Sequence, residues 1–161
     1  MSTAEAPLTP DELAQIAQFV MHYPAPRAAC IDALKAVQSR RRYISDNTLA
    51  EIAGVLGMST AELDEVATFY NLIFRKPVGE NVIFLCDSVT CWMLGRDRVC
   101  RHITSRLGIG PGETTADNRF TLLPIVCLGA CDRAPAMLLN GALLGDVTET
   151  MIDGLLALEA T

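Results

Sequence analysis

Among the residues of this chain that can do chemistry, cysteine stands out by number and by order. Six are present, and four of them form two pairs: Cys86 and Cys91 with four residues between them, then Cys127 and Cys131 with three. Paired thiolates hold soft metals or exchange electrons. A [2Fe–2S] cluster is a two-iron body whose irons take two thiolates each, and an open four-residue loop suits its size. Zinc held by four cysteines prefers knuckles of two to four intervening residues, so the first pair lies at the loose end of that range. Disulfide or thioredoxin-like dithiol chemistry ranks last, because the chain has no Cys-x-x-Cys. A Rieske centre needs two histidine ligands, and the histidines, His22 and His102, lie outside both motifs.

For one site to form, the two pairs must meet, and the segments around them say how. Val82–Cys86 is a short buried-strand pattern, and Val99, Ile103 and Leu107 form a helical stripe that stops at Gly108. Gly108 to Asn118 is a loop, and Arg119 to Val126 is a second strand; Pro124 within it has no N–H to donate, which predicts a sheet edge. A strand, a crossover helix and a second strand normally run parallel with a right-handed crossover, so both strands end on the same side. Cys86 and Cys127 then become neighbours, and the following loops return Cys91 and Cys131 to the same point, where α/β sheets usually bind ligands. Gly129 would let backbone N–H groups approach the sulfurs, and Gly95 could do the same after Cys91. Ala136–Leu139 and Ala142–Gly145 flank Asn140-Gly141, a hairpin signal, and Met151, Ile152, Leu155, Leu156 and Leu158 close the chain as a helix. The order from residue 80 is β-α-β-β-β-α.

The first half has a helical period. Thr9, Pro10 and Glu12 supply an N-cap, an N1 proline and a capping-box acid for a helix running toward Tyr23-Pro24. After Pro26 a second helix carries Ala29, Cys30, Ala33, Leu34 and Val37, ending before Arg40-Arg41-Arg42. A third starts at Ser45 and closes at Gly57; Ser59 with Glu62 opens a fourth. The last two imitate a helix-turn-helix, but the segment Ser59–Tyr70 carries Glu62, Asp64 and Glu65 and no Lys or Arg, which argues against nucleic acid. The arginine triplet reads as a solvated turn, with docking of an acidic neighbour as the second reading. Cys30 and Cys100 sit on or beside apolar stripes and read as small buried hydrophobes, and His102 as a boundary residue.

Composition sets the frame. A chain of 161 residues that is 50% hydrophobic can bury a core, and a formal charge of −6 opposes general binding to phosphate backbones or anionic lipid. The longest apolar stretch, Leu122 to Ala130, contains a Pro and a Gly and is about half a membrane span. The first twelve residues carry three acids and no Lys or Arg, unlike a secretory signal or transit peptide, so a reducing, cytosol-like compartment is expected. Gly108-Ile-Gly-Pro-Gly112 follows a helix and has Glu113 where a dinucleotide fingerprint needs glycine, so NADH is not expected on this chain. No catalytic acid-base constellation stands out.

The runs Val66 to Gly79 (VATFYNLIFRKPVG), Cys86-Asp-Ser-Val-Thr-Cys91-Trp, Gly112-Glu-Thr-Thr, Arg119-Phe-Thr-Leu and Cys127-Leu-Gly-Ala-Cys131 with Ala134-Pro135, together with His22-Tyr-Pro, resemble the small [2Fe–2S] (NuoE-type) subunit of respiratory complex I, NADH:quinone oxidoreductase. The resemblance implies an α+β fold: an N-terminal helical bundle (1–76, a docking domain) followed by a thioredoxin-like [2Fe–2S] ferredoxin domain (77–161). It implies Cys86, Cys91, Cys127 and Cys131 as ligands of one cluster, with FMN and NADH on a partner flavoprotein subunit. Other iron–sulfur subunits would follow, in a bacterial cytoplasmic assembly peripheral to the inner membrane, with no direct membrane insertion. An equivalent subunit of an NAD-dependent formate dehydrogenase or bidirectional hydrogenase has the same motifs, and a zinc-stabilised interaction module is the alternative of another class. Asp87 and Asp132, next to ligands, would disfavour an added electron, while Arg96 and Arg133 would favour it. Four thiolates around a 2+ core would bring the net charge from −6 to about −8, so partners should present basic surfaces.

Overall fold

A computed structural model describes residues 6–158, so the first five residues of the acidic start lie outside the described residues. The chain divides into two compact units, Met1–Pro77 and Val78–Thr161.

The first unit is helical: α1 (Pro10–Val20), a 3-10 turn (Pro26–Ala29), α2 (Cys30–Arg41), α3 (Asp46–Leu56) and α4 (Thr60–Phe69). Both capping boxes form, Thr9 with Glu12 and Ser59 with Glu62, each satisfying backbone donors at a helix start. Ser45 caps α3, which ends at Gly57 in the left-handed region. Helix α1 stops at Val20, three residues before the expected Tyr23. Ile16, Leu34, Val37, Leu49, Ile52 and Leu63 interlock in one core, each fully buried aliphatic side chain stabilising by roughly 1.5–3 kcal/mol. The helix-turn-helix likeness is a packing motif here, with Glu62 paired to Arg27 at 3.1 Å.

The arginine triplet departs from the solvated-turn reading. Helix α2 runs through Arg41, and that side chain is buried, its guanidinium meeting Glu12 at 2.7 Å (Nε) and 2.5 Å (Nη2), with the Ala6 and Pro7 carbonyls and the Thr48 hydroxyl taking the remaining donors. Glu12 therefore caps α1 and neutralises Arg41 at once. The arginine's hydrogen bonds and charge hold the Glu12 carboxyl down at about 2, against the opposing push of burial. The pair was invisible in the sequence because its members are 29 positions apart.

The second unit is a sheet of order β2-β3-β1-β4-β5, formed by β1 (Asn81–Cys86), β2 (Glu113–Thr114), β3 (Phe120–Ile125), β4 (Met137–Leu139) and β5 (Ala142–Leu144). Strands β1 and β3 are parallel, with Cys86 opposite Ile125; the other pairings are antiparallel. Two short helical pieces cross over between them, α5 (Val89–Met93) and α6 (Arg96–Leu107), and α7 (Glu149–Leu158) follows β5. Ile83, Leu85, Val99, Ile103, Leu122, Met137 and Ile152 form the core. Asn140 and Gly141 turn the β4–β5 hairpin with φ of 51° and 86°, the pattern of a type I′ turn.

The expected α+β class stands, with two additions to the strand order: the short helix α5, and the strand β2 inside what reads as a loop. Strand β2 also corrects the position of the Pro124 strand, which is not at the sheet edge. The physical reason is local. Arg119 and Ile125 offer their carbonyls to Asn81 and Asp87, whereas Leu122 accepts from Gly112, so even-numbered residues of β3 face β2. Pro124 faces that side too, but β2 pairs only with Thr121 and Leu122. Its missing N–H falls beyond the end of the neighbour, an edge position within an inner strand.

Candidate metal centre

The parallel pairing of β1 and β3 brings the two cysteine loops together. Cys86 is the last residue of β1, and its N–H donates to the Ala136 carbonyl at 3.1 Å; Cys127 lies two residues beyond its opposite number, Ile125. Helix α5 presents Cys91 inward, and a 3-10 turn (Cys131–Arg133) begins at the fourth cysteine. Cys86 and Cys91 are buried together against Ala136, with Leu128, Ala130 and Ala134 packed around them. Cys127 and Cys131 are exposed, their sulfurs 3.4 Å apart. All four are free thiols, as are the buried Cys100 and the half-buried Cys30, which pack as apolar residues.

The four thiols feel one another. Burial pushes the Cys91 thiol above its ordinary value, and the neighbouring Cys86 adds to this while the Ala136 backbone opposes it. Cys127 is pulled down, first by the Gly129 N–H, which reaches its sulfur at 3.4 Å, and then by the Cys131 thiol. Cys131 is pushed up, first because its thiol holds its proton in the hydrogen bond to the Cys127 sulfur and then because two adjacent thiolates repel. Gly129 has a φ of 76°, a conformation that turns its N–H back toward the sulfur and that L side chains rarely adopt. Gly95 does not play the matching part: its N–H goes to the Trp92 carbonyl at 3.3 Å.

Sequence reasoning overlooked the hydroxyls of Ser88 and Thr90: the first adds to the lowering of Cys127, and the second opposes the rise of Cys131. The signal was present, as two hydroxyl residues inside the loop between Cys86 and Cys91. Gly145 was also missed. A Cβ there would lie 2.5 Å from the Arg133 Cβ and 2.9 Å from its carbonyl oxygen, so β5 can approach the Cys131–Arg133 turn only through glycine. Asp146 completes that clasp by donating its N–H to the Arg133 carbonyl at 2.6 Å. Of the flanking charges, Arg96 is largely buried between Asp87 (3.4 Å) and Asp97 (3.1 Å), while Arg133 is exposed and paired with Asp146 at 3.4 Å. His102 lies away from the thiols, bonded to Asp153 at 2.9 Å.

The donor set suits iron–sulfur chemistry: four unpaired thiols from two loops, backbone N–H groups turned toward sulfur, and dry walls on one side. Among the described residues, no group of three or more His, Cys, Asp or Glu is closed tightly enough to hold a metal ion as it stands, so the thiols are gathered without being drawn onto one point. Around them is an exposed apolar rim, Val89, Trp92, Met93 and Leu94 on α5 and its C-terminal end, and Val126 beside Cys127.

Comparison with known proteins defines the class. The model of the thioredoxin-like [2Fe–2S] ferredoxin family matches residues 16–159, and the chain belongs to that family. Its cofactor is accordingly one [2Fe–2S] cluster, and the zinc reading falls away. The chain is 47% identical over 140 residues to the E subunit of NADH-quinone oxidoreductase from Pseudomonas aeruginosa, covering 87% of this chain and 84% of that relative. To the Escherichia coli E subunit it is 49% identical over 119 residues (74% and 72% covered), and to that of Buchnera aphidicola from Acyrthosiphon pisum 43% over 149 residues (92% of each). Among solved structures, an NAD+-reducing [NiFe]-hydrogenase in the air-oxidised state superposes with a TM-score of 0.72 at 28% identity, over 82% of this chain and 23% of the hydrogenase chain.

Proposed function

We propose that this chain is the [2Fe–2S] electron-transfer subunit of an NADH–quinone oxidoreductase, with Cys86, Cys91, Cys127 and Cys131 as the cluster ligands. The observation that carries the reading is the convergence of four free thiols on the loops after two parallel strands, in a chain nearly half identical to NADH-quinone oxidoreductase E subunits over most of its length. When bound, the cluster supplies one-electron chemistry. The chain's own residues do the rest. Buried Cys86 and Cys91 give a rigid anchor, while Gly129 turns its N–H toward the Cys127 sulfur and favours the thiolate needed for ligation. The chain holds no complete active site of its own; hydride chemistry belongs to a partner flavoprotein that binds FMN and NADH.

The apolar rim of α5 and Val126 supports a dry meeting with another protein at the cluster end, and the helical unit from Thr9 to Phe74 serves as a second docking surface. No helix among the described residues is long and apolar enough to cross a membrane; the placement as a peripheral subunit on the cytoplasmic side rests on the likeness to NADH-quinone oxidoreductase E subunits. A second reading, the corresponding module of an NAD+-reducing hydrogenase, is favoured by the structural match alone. Purification with native partners separates the two, because the first brings quinone-reductase subunits and the second a nickel–iron subunit.

The ligand assignment is tested by iron and acid-labile sulfide per chain together with electron paramagnetic resonance after reduction. The wild-type chain should show one [2Fe–2S] signal, and replacing any of the four cysteines by Ala should abolish it. A variant with an unchanged spectrum removes that residue from the set.

A further inference from the structure

We propose that Arg96 is the counter-ion of the cluster site, the residue whose charge sets how readily the bound [2Fe–2S] group accepts an electron. The inference rests on the reading of Cys86, Cys91, Cys127 and Cys131 as ligands. It begins with a residue whose placement the protein unit does not explain. Arg96 is the first residue of α6, where a cation faces the positive end of the helix dipole. Its side chain is 15% exposed, so its charge is largely removed from water. Asp87 and Asp97 occupy Nη2 and Nη1, yet Nε has no partner, and among the described residues it is the one buried side-chain nitrogen or oxygen left unsatisfied. A buried donor in that condition calls for a compensating group.

The neighbourhood supplies a reason for all three features. Arg96 braces Asp87, the residue directly after Cys86, and opens the helix that follows the Cys91 segment, so it stands behind the loop joining two ligands. Four thiolates around a 2+ core carry a net charge of about −2, which becomes more negative on reduction. A fixed cation shielded from water stabilises the reduced form more than the oxidised form and raises the potential. Arg133, the other arginine near a ligand, is 57% exposed and faces an exposed carboxylate, so solvent and salt screen it. Sequence position alone makes the two arginines equivalent; burial separates them.

The test is a redox titration of the full-length chain with its cluster, followed by electron paramagnetic resonance. Arg96→Gln should keep iron, sulfide and g-values but move the midpoint potential downward. Arg96→Lys, which keeps the charge, should restore most of the shift, and Arg133→Gln should barely move it. Asp97→Asn provides a second measurement if Arg96→Gln does not fold: it frees the guanidinium of a counter-charge and should shift the potential upward. A wild-type potential in cluster-loaded Arg96→Gln overturns the proposal, as does an Arg133→Gln shift of equal size, or an unmoved potential in Asp97→Asn. Absence of iron and sulfide from the wild-type chain is a different failure, of the ligand reading itself.

Discussion

The helical unit and the sheet unit each withdraw an arginine from solvent, Arg41 fully and Arg96 largely, and they treat it in opposite ways. Arg41 sits at 6% exposure with its guanidinium donors taken by Glu12, Thr48 and two backbone carbonyls, all within its own unit. Arg96 is shared between two aspartates and keeps an unpaired Nε. A charge that serves the fold closes its own hydrogen bonds, because an open donor in low dielectric has nothing to gain. A charge left partly open, braced on the residue that follows Cys86, is what the proposed counter-ion role of Arg96 requires. The same contrast runs through the polar interiors: capping boxes in one unit, gathered thiols and inward-turned N–H groups in the other.

The largest test of this difference is Arg41→Ala. It strands Glu12 without its cation, and loss of one partner of a buried pair costs about 3–5 kcal/mol, measurable by denaturant unfolding. Because Arg41 closes its bonds inside the helical unit, iron and sulfide content should not change; a bleached cluster would break the comparison. The pair also sets a pH window. Glu12 is depressed from 4.5 to about 2 on folding, so its contribution is complete above pH 4.5 and is lost as pH falls toward 2. In Arg41→Ala that acid-dependent part should shrink.

Next in size is Gly145→Ala, which drives a Cβ into the Cys131–Arg133 turn and should destabilise the sheet unit by about 1–3 kcal/mol while speeding cluster loss. Arg133→Gly in the same chain removes the closest contact, at 2.5 Å, and should recover part of both effects; the 2.9 Å contact to its carbonyl remains. No recovery would locate the strain elsewhere. The smallest effect is expected from Gly154→Ala in α7, where an added Cβ meets nothing within 4 Å. There the higher helix propensity of alanine should raise stability by roughly 0.5–1 kcal/mol, read as a small rise in Tm with an unchanged spectrum.

Much of the site was legible because its determinants are local or follow from chirality. Thr9 with Glu12, Ser59 with Glu62 and Asn140-Gly141 are short-range signals, and each forms the cap or turn its chemistry dictates. The meeting of Cys86 with Cys127 is long-range, yet the right-handed crossover rule fixes it once two strands and a helix are recognised. Strand β2 was not legible, since Glu113 and Thr114 are polar residues in a glycine-rich stretch and pair only because β3 offers them an open side. The same blind spot placed Pro124 on an edge strand.

By itself the sequence determined the helices with their caps, the hairpin, the four cysteines and the chemistry that paired thiolates can do. Each depends on residues within a turn or two of one another, or on handedness that all L-chains share. Only the tertiary structure decided which charges are dry. It made Cys86 and Cys91 the buried wall and Cys127 and Cys131 the exposed one. It turned Arg41 from a solvated run into a buried anchor and set Arg96 apart from Arg133. Burial is a property of what the rest of the chain folds over a residue, and electrostatic strength follows from burial, so neither can be read from a residue and its neighbours in sequence.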